Sequence, residues 1–180
     1  MMKFLLAAAA IVLPIASHAG PKLIDVVGLI PGVSDAQQVR QASAQPTSTD
    51  DGVFLEIGGI KIPCITDFLN GRLAAMTCFT GSSGSSKYTR ESNQQVFEEL
   101  VAGWTRKFGV PDKTERQKVR TRAGVEYEQL SVSWMDASGN RLEIANMMQS
   151  VTQGLISIRS ADALRKEALE EGQRNAAKKF

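Results

Sequence analysis

The sequence predicts an α+β domain, an antiparallel sheet with helices on one of its faces. Three observations carry that prediction. Strand-like runs come in clusters separated by short turns bearing glycine or asparagine, which suits hairpins rather than crossover connections. Two stretches of helical periodicity stand in front of those clusters, at 35–44 and 91–109. Helix-then-strands therefore occurs twice, over 34–80 and 91–160, an order that suggests two pseudo-repeats sharing one sheet. The repeats have little sequence in common. Gln37-Gln38-Val39 and Gln94-Gln95-Val96 open the two helices alike, and a proline follows each, Pro46 and Pro111.

KLIDVVGLI (22–30) reads as a short strand or an extended lead-in, turned at Pro31-Gly32. Ser34 is the expected N-cap of the first helix, since a hydroxyl there can accept an unsatisfied backbone N–H. A polar loop, QPTSTDDG (45–52), leads to three strand-like runs: VFLEIG (53–58), IKIPCITDF (60–68) and RLAAMTCFT (72–80). Gly58-Gly59 and Asn70-Gly71 are their turns, because both residues of a tight hairpin loop need positive φ. GSSGSSK (81–87) is a low-complexity connector. Thr89 and Ser92 are candidate caps of the longer helix. Its Val96, Phe97, Leu100, Val101, Trp104 and Phe108 recur at helical spacing, so they form one buried stripe, and Gly109 ends it. KTERQKVRTR (113–122), VEYEQLSVSWM (125–135), RLEIANMM (141–148) and GLISIRS (154–160) form a second strand cluster. Its turns are Ala123-Gly124 and DASGN (136–140). Met147 and Met148 are adjacent, so a strand places them on opposite faces, and both are expected to be buried. The chain finishes in a charged helix (161–180) with a thin apolar face, whose last turns are expected to project or fray.

The first residues bear on the compartment. MMK is a short positive start, residues 4–16 are apolar, and Ser17-His18-Ala19 places small residues at −3 and −1 before Gly20. That is the pattern of a secretory signal peptide spanning 1–19, with cleavage between Ala19 and Gly20. The apolar run is too short to span a bilayer, which takes about 20 residues. The expected organisation is thus a signal peptide (1–19), an α+β domain (20–160) and a charged C-terminal helix (161–180). The expected location is periplasmic or secreted.

Composition narrows the chemistry. The chain carries 21 basic and 19 acidic side chains. Cleavage would remove only Lys3, so the mature balance stays near neutral and argues against a nucleic-acid partner. His18 is the single histidine and would leave with the signal. That excludes the usual Ser-His-Asp and Cys-His catalysis and removes the commonest metal ligand. No cofactor and no metal site is expected. Cys64 and Cys78 are the two cysteines. They form no C-x-x-C and are too few for a structural zinc site. An oxidising compartment makes a disulfide the natural reading. A two-residue loop at Asn70-Gly71 would put Cys64 opposite Thr77. The cysteines face each other only with an odd loop or a one-residue bulge, and Pro63 makes irregularity plausible nearby.

GLIPGVSDAQQV (28–39), the hairpin containing Asn70-Gly71-Arg72-Leu73, KFGVPDKTE (107–115) and the Trp134-x-x-x-x-Gly139-Asn140 turn resemble a diffuse group of exported bacterial or prophage proteins. More distantly, they are similar to the helix-plus-meander domains of β-lactamase-inhibitor protein. They are similar also to the small lipoprotein of the outer-membrane barrel-assembly machinery, although this chain lacks a lipidated cysteine. The resemblance implies protein–protein binding in the cell envelope rather than catalysis. It carries over no functional residue.

Arg116, Lys118, Arg120 and Arg122 alternate, so a strand presents all four on one face. They could meet an acidic protein or lipid phosphates. They could equally protect an exposed strand from aggregation. If Arg122-Ala123-Gly124 is a three-residue loop, Arg120 faces Glu126 and Lys118 faces Glu128, and the ridge is largely neutralised. That solvated, projecting hairpin is the favoured expectation over a binding ridge. Glu126 and Glu128 could be read as the carboxylate pair of a glycoside hydrolase, but alternating glutamates beside arginines are commonly a salt-bridged strand. The serines of the connector lie in neither a G-x-S-x-G nor a phosphate-binding loop. The expectation is a non-catalytic exported protein that binds another envelope protein through the open sheet face or a projecting loop. Alternatives are a phage superinfection-exclusion protein, an inhibitor or immunity protein against a hydrolase, and a histidine-free carboxylate hydrolase. A membrane surface is a less favoured partner.

Overall fold

The computed structural model describes residues 23–45, 52–81, 89–120, 124 and 126–178. The signal-like segment 1–19, most of the loop at 45–52, connector residues 82–88 and Arg122 lie outside the described residues. The elements are α1 (Ala36–Ala42), β1 (Gly52–Ile57), β2 (Ile60–Leu69), β3 (Arg72–Thr80), α2 (Arg90–Phe108), β4 (Lys113–Arg120), β5 (Glu126–Met135), β6 (Arg141–Ser150), β7 (Gln153–Arg159) and α3 (Ala161–Ala177). All seven strands join in one antiparallel sheet of order β1-β2-β3-β7-β6-β5-β4. Two meanders, each preceded by a helix, thus meet at the β3–β7 seam. They are unequal. The 7-residue α1 precedes three strands and the 19-residue α2 precedes four, so the likeness stops at the order of elements.

The expected lead-in folds back on itself. Val26 and Leu29 bridge across Val27 and Gly28, both at positive φ (51° and 82°), while Ile24, Val26 and Leu29 are buried. The cap of α1 is Asp35 rather than Ser34. Asp35 Oδ1 accepts from Gln38 N at 2.9 Å and Gln38 Oε1 accepts from Asp35 N at 2.9 Å, a reciprocal capping box. The Ser34 hydroxyl is occupied elsewhere: it accepts from Ile30 N at 3.0 Å and closes the turn at Pro31-Gly32. The helix ends at Ala42 because the chain then peels off to the sheet, where Ala44 N donates to Phe54 O at 2.7 Å.

Thr89 and Ser92 form the same kind of box at the start of α2. Phe97, Leu100 and Trp104 are buried on the sheet, and the Trp104 ring meets Trp134 edge-on, centroids 6.1 Å apart. The Trp134 indole N–H donates to Gly109 O at 3.0 Å, so the end of α2 is tied to β5. At its other end, buried Asn93 donates to the carbonyls of Asn146 and Val151 and accepts from Thr80 Oγ1. Gly154 makes that approach possible. A Cβ there would lie 2.4 Å from Thr80 Oγ1 and 2.9 Å from Ala145 O.

Register alternates the two sides of the sheet. Leu55, Ile62, Cys64, Met76, Cys78, Ile156, Ile158, Leu142, Ile144, Val132 and Trp134 share one side, and all are buried. Val39 of α1 and the α2 stripe belong to the same core cluster, so both main helices share this core face. α3 leaves from Ser160, whose Oγ accepts from Ala163 N at 3.1 Å. Ala163 is buried, but every residue from Arg165 to Lys178 is exposed, as its thin apolar face predicts.

Cys64 and Cys78 are joined in a disulfide, directly opposite each other with Cα atoms 4.0 Å apart. Asn70 (φ 53°) and Gly71 (φ 74°) form the tight turn, pairing Leu69 with Arg72 and Phe68 with Leu73. Asp67 then pairs with Ala75, which leaves Ala74 as the extra residue that brings the cysteines into register. The bulge therefore lies in β3, not at Pro63. Ala74 O accepts from Ser160 N at 2.8 Å, and Leu73 is bonded to Gly32 and Ser34, so neighbouring segments draw β3 out of line at that point. The β2–β3 ladder starts at Cys64, one residue past Pro63.

Candidate functional site: an open sheet face and a bare charged edge

The side of the sheet opposite the core holds Phe54, Pro63, Ile65, Asp67, Ala75, Thr77, Phe79, Leu155, Ser157, Arg159, Arg141, Glu143, Ser133 and Met135. Ile65 and Met135 are each 56% exposed, and Phe54, Phe79 and Leu155 are half-buried. On this face Phe79, Leu155 and Ala145 form one apolar row, while the adjoining row runs from Ile65 through the polar Thr77, Ser157 and Glu143 to Ser133. The flanks of the face are charged, with Glu56, Lys61 and Asp67 on the β1–β2 side.

The first turns of α3 border the same face. Arg141, Glu143, Leu155, Ser157, Arg159, Leu164 and Glu167 line a depression of ≈ 260 Å³. Arg141 and Arg159 stand directly opposite each other, an unfavourable like-charge pair in a sheet. Each is offset by its own carboxylate: Arg141 pairs with Glu143 at 2.9 Å, and Arg159 pairs with Glu167 of α3. Arg159 Nε also donates to Ser157 Oγ at 3.2 Å. The cluster is charge-balanced, and it fastens the start of α3 to the rim of the open face. A second concavity of ≈ 560 Å³ lies on the core side between α2 and the β1–β2 turn, lined by Ile57, Ile60, Val96, Leu100 and Trp104 with Glu99 and Arg106 at its rim.

The described members of the predicted basic set lie on β4, an edge strand exposed along nearly its whole length, with Val119 half-buried. Arg116, Lys118 and Arg120 share one face, and Lys118 opposes Glu128 while Arg120 opposes Glu126, the register expected from the sequence. Gly124 has the expected positive φ of 83°. The ion pairing differs from that expectation. Glu128 reaches diagonally to Arg116 at 2.8 Å, whereas Lys118 and Arg120 form no ion pair among the described residues. Arg120 instead donates from Nε to Gly124 O at 3.0 Å, holding the hairpin tip. Glu126 and Glu128 are both exposed.

Sequence reasoning missed how this hairpin is carried. The β5–β6 ladder covers Ser131–Met135 and stops where β6 bulges after Ala145. Beyond that point side chains replace the ladder. Leu130 N donates to Asn146 Oδ1 at 2.8 Å, Gln129 Nε2 to Met147 O at 2.7 Å and the Tyr127 hydroxyl to Met148 O at 3.0 Å. Met147 is buried and Met148 half-buried. A polar Asn146 between Ala145 and Met147 in an apolar strand was the available signal, since buried amides need partners. A second unread signal was Asp136, buried yet accepting from Ile24 N, Ser138 N, Asn140 N and the Asn140 amide. It binds the lead-in segment to the β5–β6 turn.

No helix among the described residues is long and apolar enough to cross a membrane. No family model, curated protein or solved structure matches this chain.

Proposed function

We propose that the chain is a non-catalytic exported protein that binds another protein of the cell envelope through its open sheet face. The observation that carries this reading is the apolar group of exposed Ile65 and half-buried Phe79 and Leu155, with charged residues on either side of it. A contiguous exposed apolar patch rimmed by polar residues suits a protein contact. Export is supported by the signal pattern at 1–19 and by the Cys64–Cys78 disulfide, since such bonds persist in oxidising compartments. Non-catalysis is supported by the absence of histidine after residue 18 and by Glu126 and Glu128 standing exposed on a hairpin, with Glu128 engaged by Arg116. The resemblance to β-lactamase-inhibitor protein and the barrel-assembly lipoprotein points the same way.

The test uses residues 20–180 carrying a photo-crosslinker at Thr77, in the middle of the open face, and envelope extracts. A discrete crosslinked partner is expected, and Ile65→Glu should abolish the adduct without changing the thermal melt. An adduct that survives Ile65→Glu undiminished would overturn the choice of face. Turnover of a glycan that Glu126→Gln abolishes would overturn non-catalysis.

A further inference from the structure

We propose that the outer edge of β4 accepts an extended acidic segment of a partner protein as an eighth strand, its carboxylates at alternate positions facing Arg116, Lys118 and Arg120. This rests on the reading of the chain as a binding protein, but it assigns a different surface and a defined chemistry.

Backbone, charge and position all bear on it. The sheet has two edges, and the β1 edge is covered at its middle. Phe54 of β1 is bonded outward to Ala44 N and Ser43 Oγ. Among the described residues, β4 makes no backbone hydrogen bond beyond those to β5. Its outward N–H and C=O groups are therefore available along eight residues, Lys113–Arg120. Such a row is a template for strand addition, in which the main chain supplies affinity and alternate side chains supply selectivity.

The side-chain pattern selects the occupant. Arg116, Lys118 and Arg120 occupy one face at a spacing of two, and an incoming strand presents its own residues at the same spacing. Glu128 satisfies Arg116, but Lys118 and Arg120 have no carboxylate partner among the described residues. An added strand bearing acids at alternate positions would supply carboxylates from the side opposite Glu126 and Glu128. Each central cation would then lie between two anionic strands. Arg122 extends the same alternation in sequence. The hairpin is also braced for such a contact. Tyr127 and Gln129 fasten β5 to the carbonyls of Met148 and Met147 beyond the end of the ladder, so the projecting part of β4 has a fixed platform behind it.

The probe is a blocked heptapeptide of alternating Glu and Thr, titrated into residues 20–180. Two controls are a peptide of the same composition with its glutamates contiguous, and an alternating Lys-Thr peptide. Binding by the alternating acidic peptide, with slowed amide exchange confined to outward N–H groups of β4, is the expected result. Lys118→Glu with Arg120→Glu should weaken it at least tenfold, as should raising salt from about 0.1 M to about 1 M, where the Debye length falls from about 10 Å to about 3 Å. Equal binding of the contiguous peptide, no slowing of β4 exchange, or an affinity indifferent to the double reversal would each overturn the proposal. Those outcomes leave the crosslink at Thr77 untouched. Loss of that crosslink with β4 protection intact would instead sink only the sheet-face reading.

Discussion

β1 and β4 are both edge strands of one sheet, yet they are finished differently. β1 turns Val53, Leu55 and Ile57 into the core, has its outer backbone engaged at Phe54 by Ser43 and Ala44, and lies one strand from the disulfide. β4 has no fully buried residue, an uncovered backbone edge and alternating charges. The difference teaches where stability and where surface function reside. On the β1 side Val53, Leu55 and Ile57 are fixed by packing, so substitutions at them act on the fold. On the β4 side solvent surrounds the side chains, so substitutions act on what the strand meets.

Leu55→Ala is the strongest way to sharpen that contrast. Leu55 is fully buried (0% exposed), so truncation removes apolar burial and leaves a cavity, costing about 2–5 kcal/mol. Val119→Ala, at a half-buried position on β4, should cost well under half as much. Urea titration of both variants measures the gap. Equal losses would show that β4 is as integral to the core as β1.

The disulfide ranks next. Closing the ring from Cys64 to Cys78 stabilises by roughly 3 kcal/mol in the chain-entropy account. Cys64→Ser and Cys78→Ser should therefore lose similar stability, each also burying a hydroxyl at a position where the cysteine is 2% or 0% exposed. Two titratable thiols in unreduced, denatured protein would contradict the bond.

Much of this side of the molecule was legible in the sequence. Asn70-Gly71 located the turn, and simple parity required an odd loop or a bulge if Cys64 was to meet Cys78. The position of the bulge was not legible, because Ala74 is displaced by backbone bonds from Gly32, Ser34 and Ser160, segments remote from it in sequence. The cap of α1 was missed for the same reason: Ser34 and Asp35 are equivalent locally, and Ile30 N decides between them. On the β4 side the register was legible because charges and turn agreed. The ion pairing was not, because strand register fixes neighbours while side-chain length and twist choose among them. The open face was legible only as alternation, since nothing local tells whether a second layer covers it.

The smallest expected effect concerns that pairing. Arg116 and Glu128 meet at 2.8 Å, with side chains 71% and 50% exposed. Exposed pairs lose most of their Coulomb energy to solvent and to the ordering of two long side chains. Their coupling is typically about 0.2–1 kcal/mol. A double-mutant cycle on Arg116→Ala and Glu128→Ala should return a coupling in that range that shrinks with added salt, because both charges stand in water. The cycle on Arg120→Ala and Glu126→Ala is the control. These residues are opposite in register but form no ion pair among the described residues, and Arg120 donates to Gly124 O instead. Its coupling should be indistinguishable from zero. The reverse order, with Arg120–Glu126 coupled and Arg116–Glu128 not, would mean that the pairs follow strand register directly. Arg116 would then be the unpartnered cation of the edge, and an incoming acidic strand would be read from that end of β4 rather than from Lys118 and Arg120.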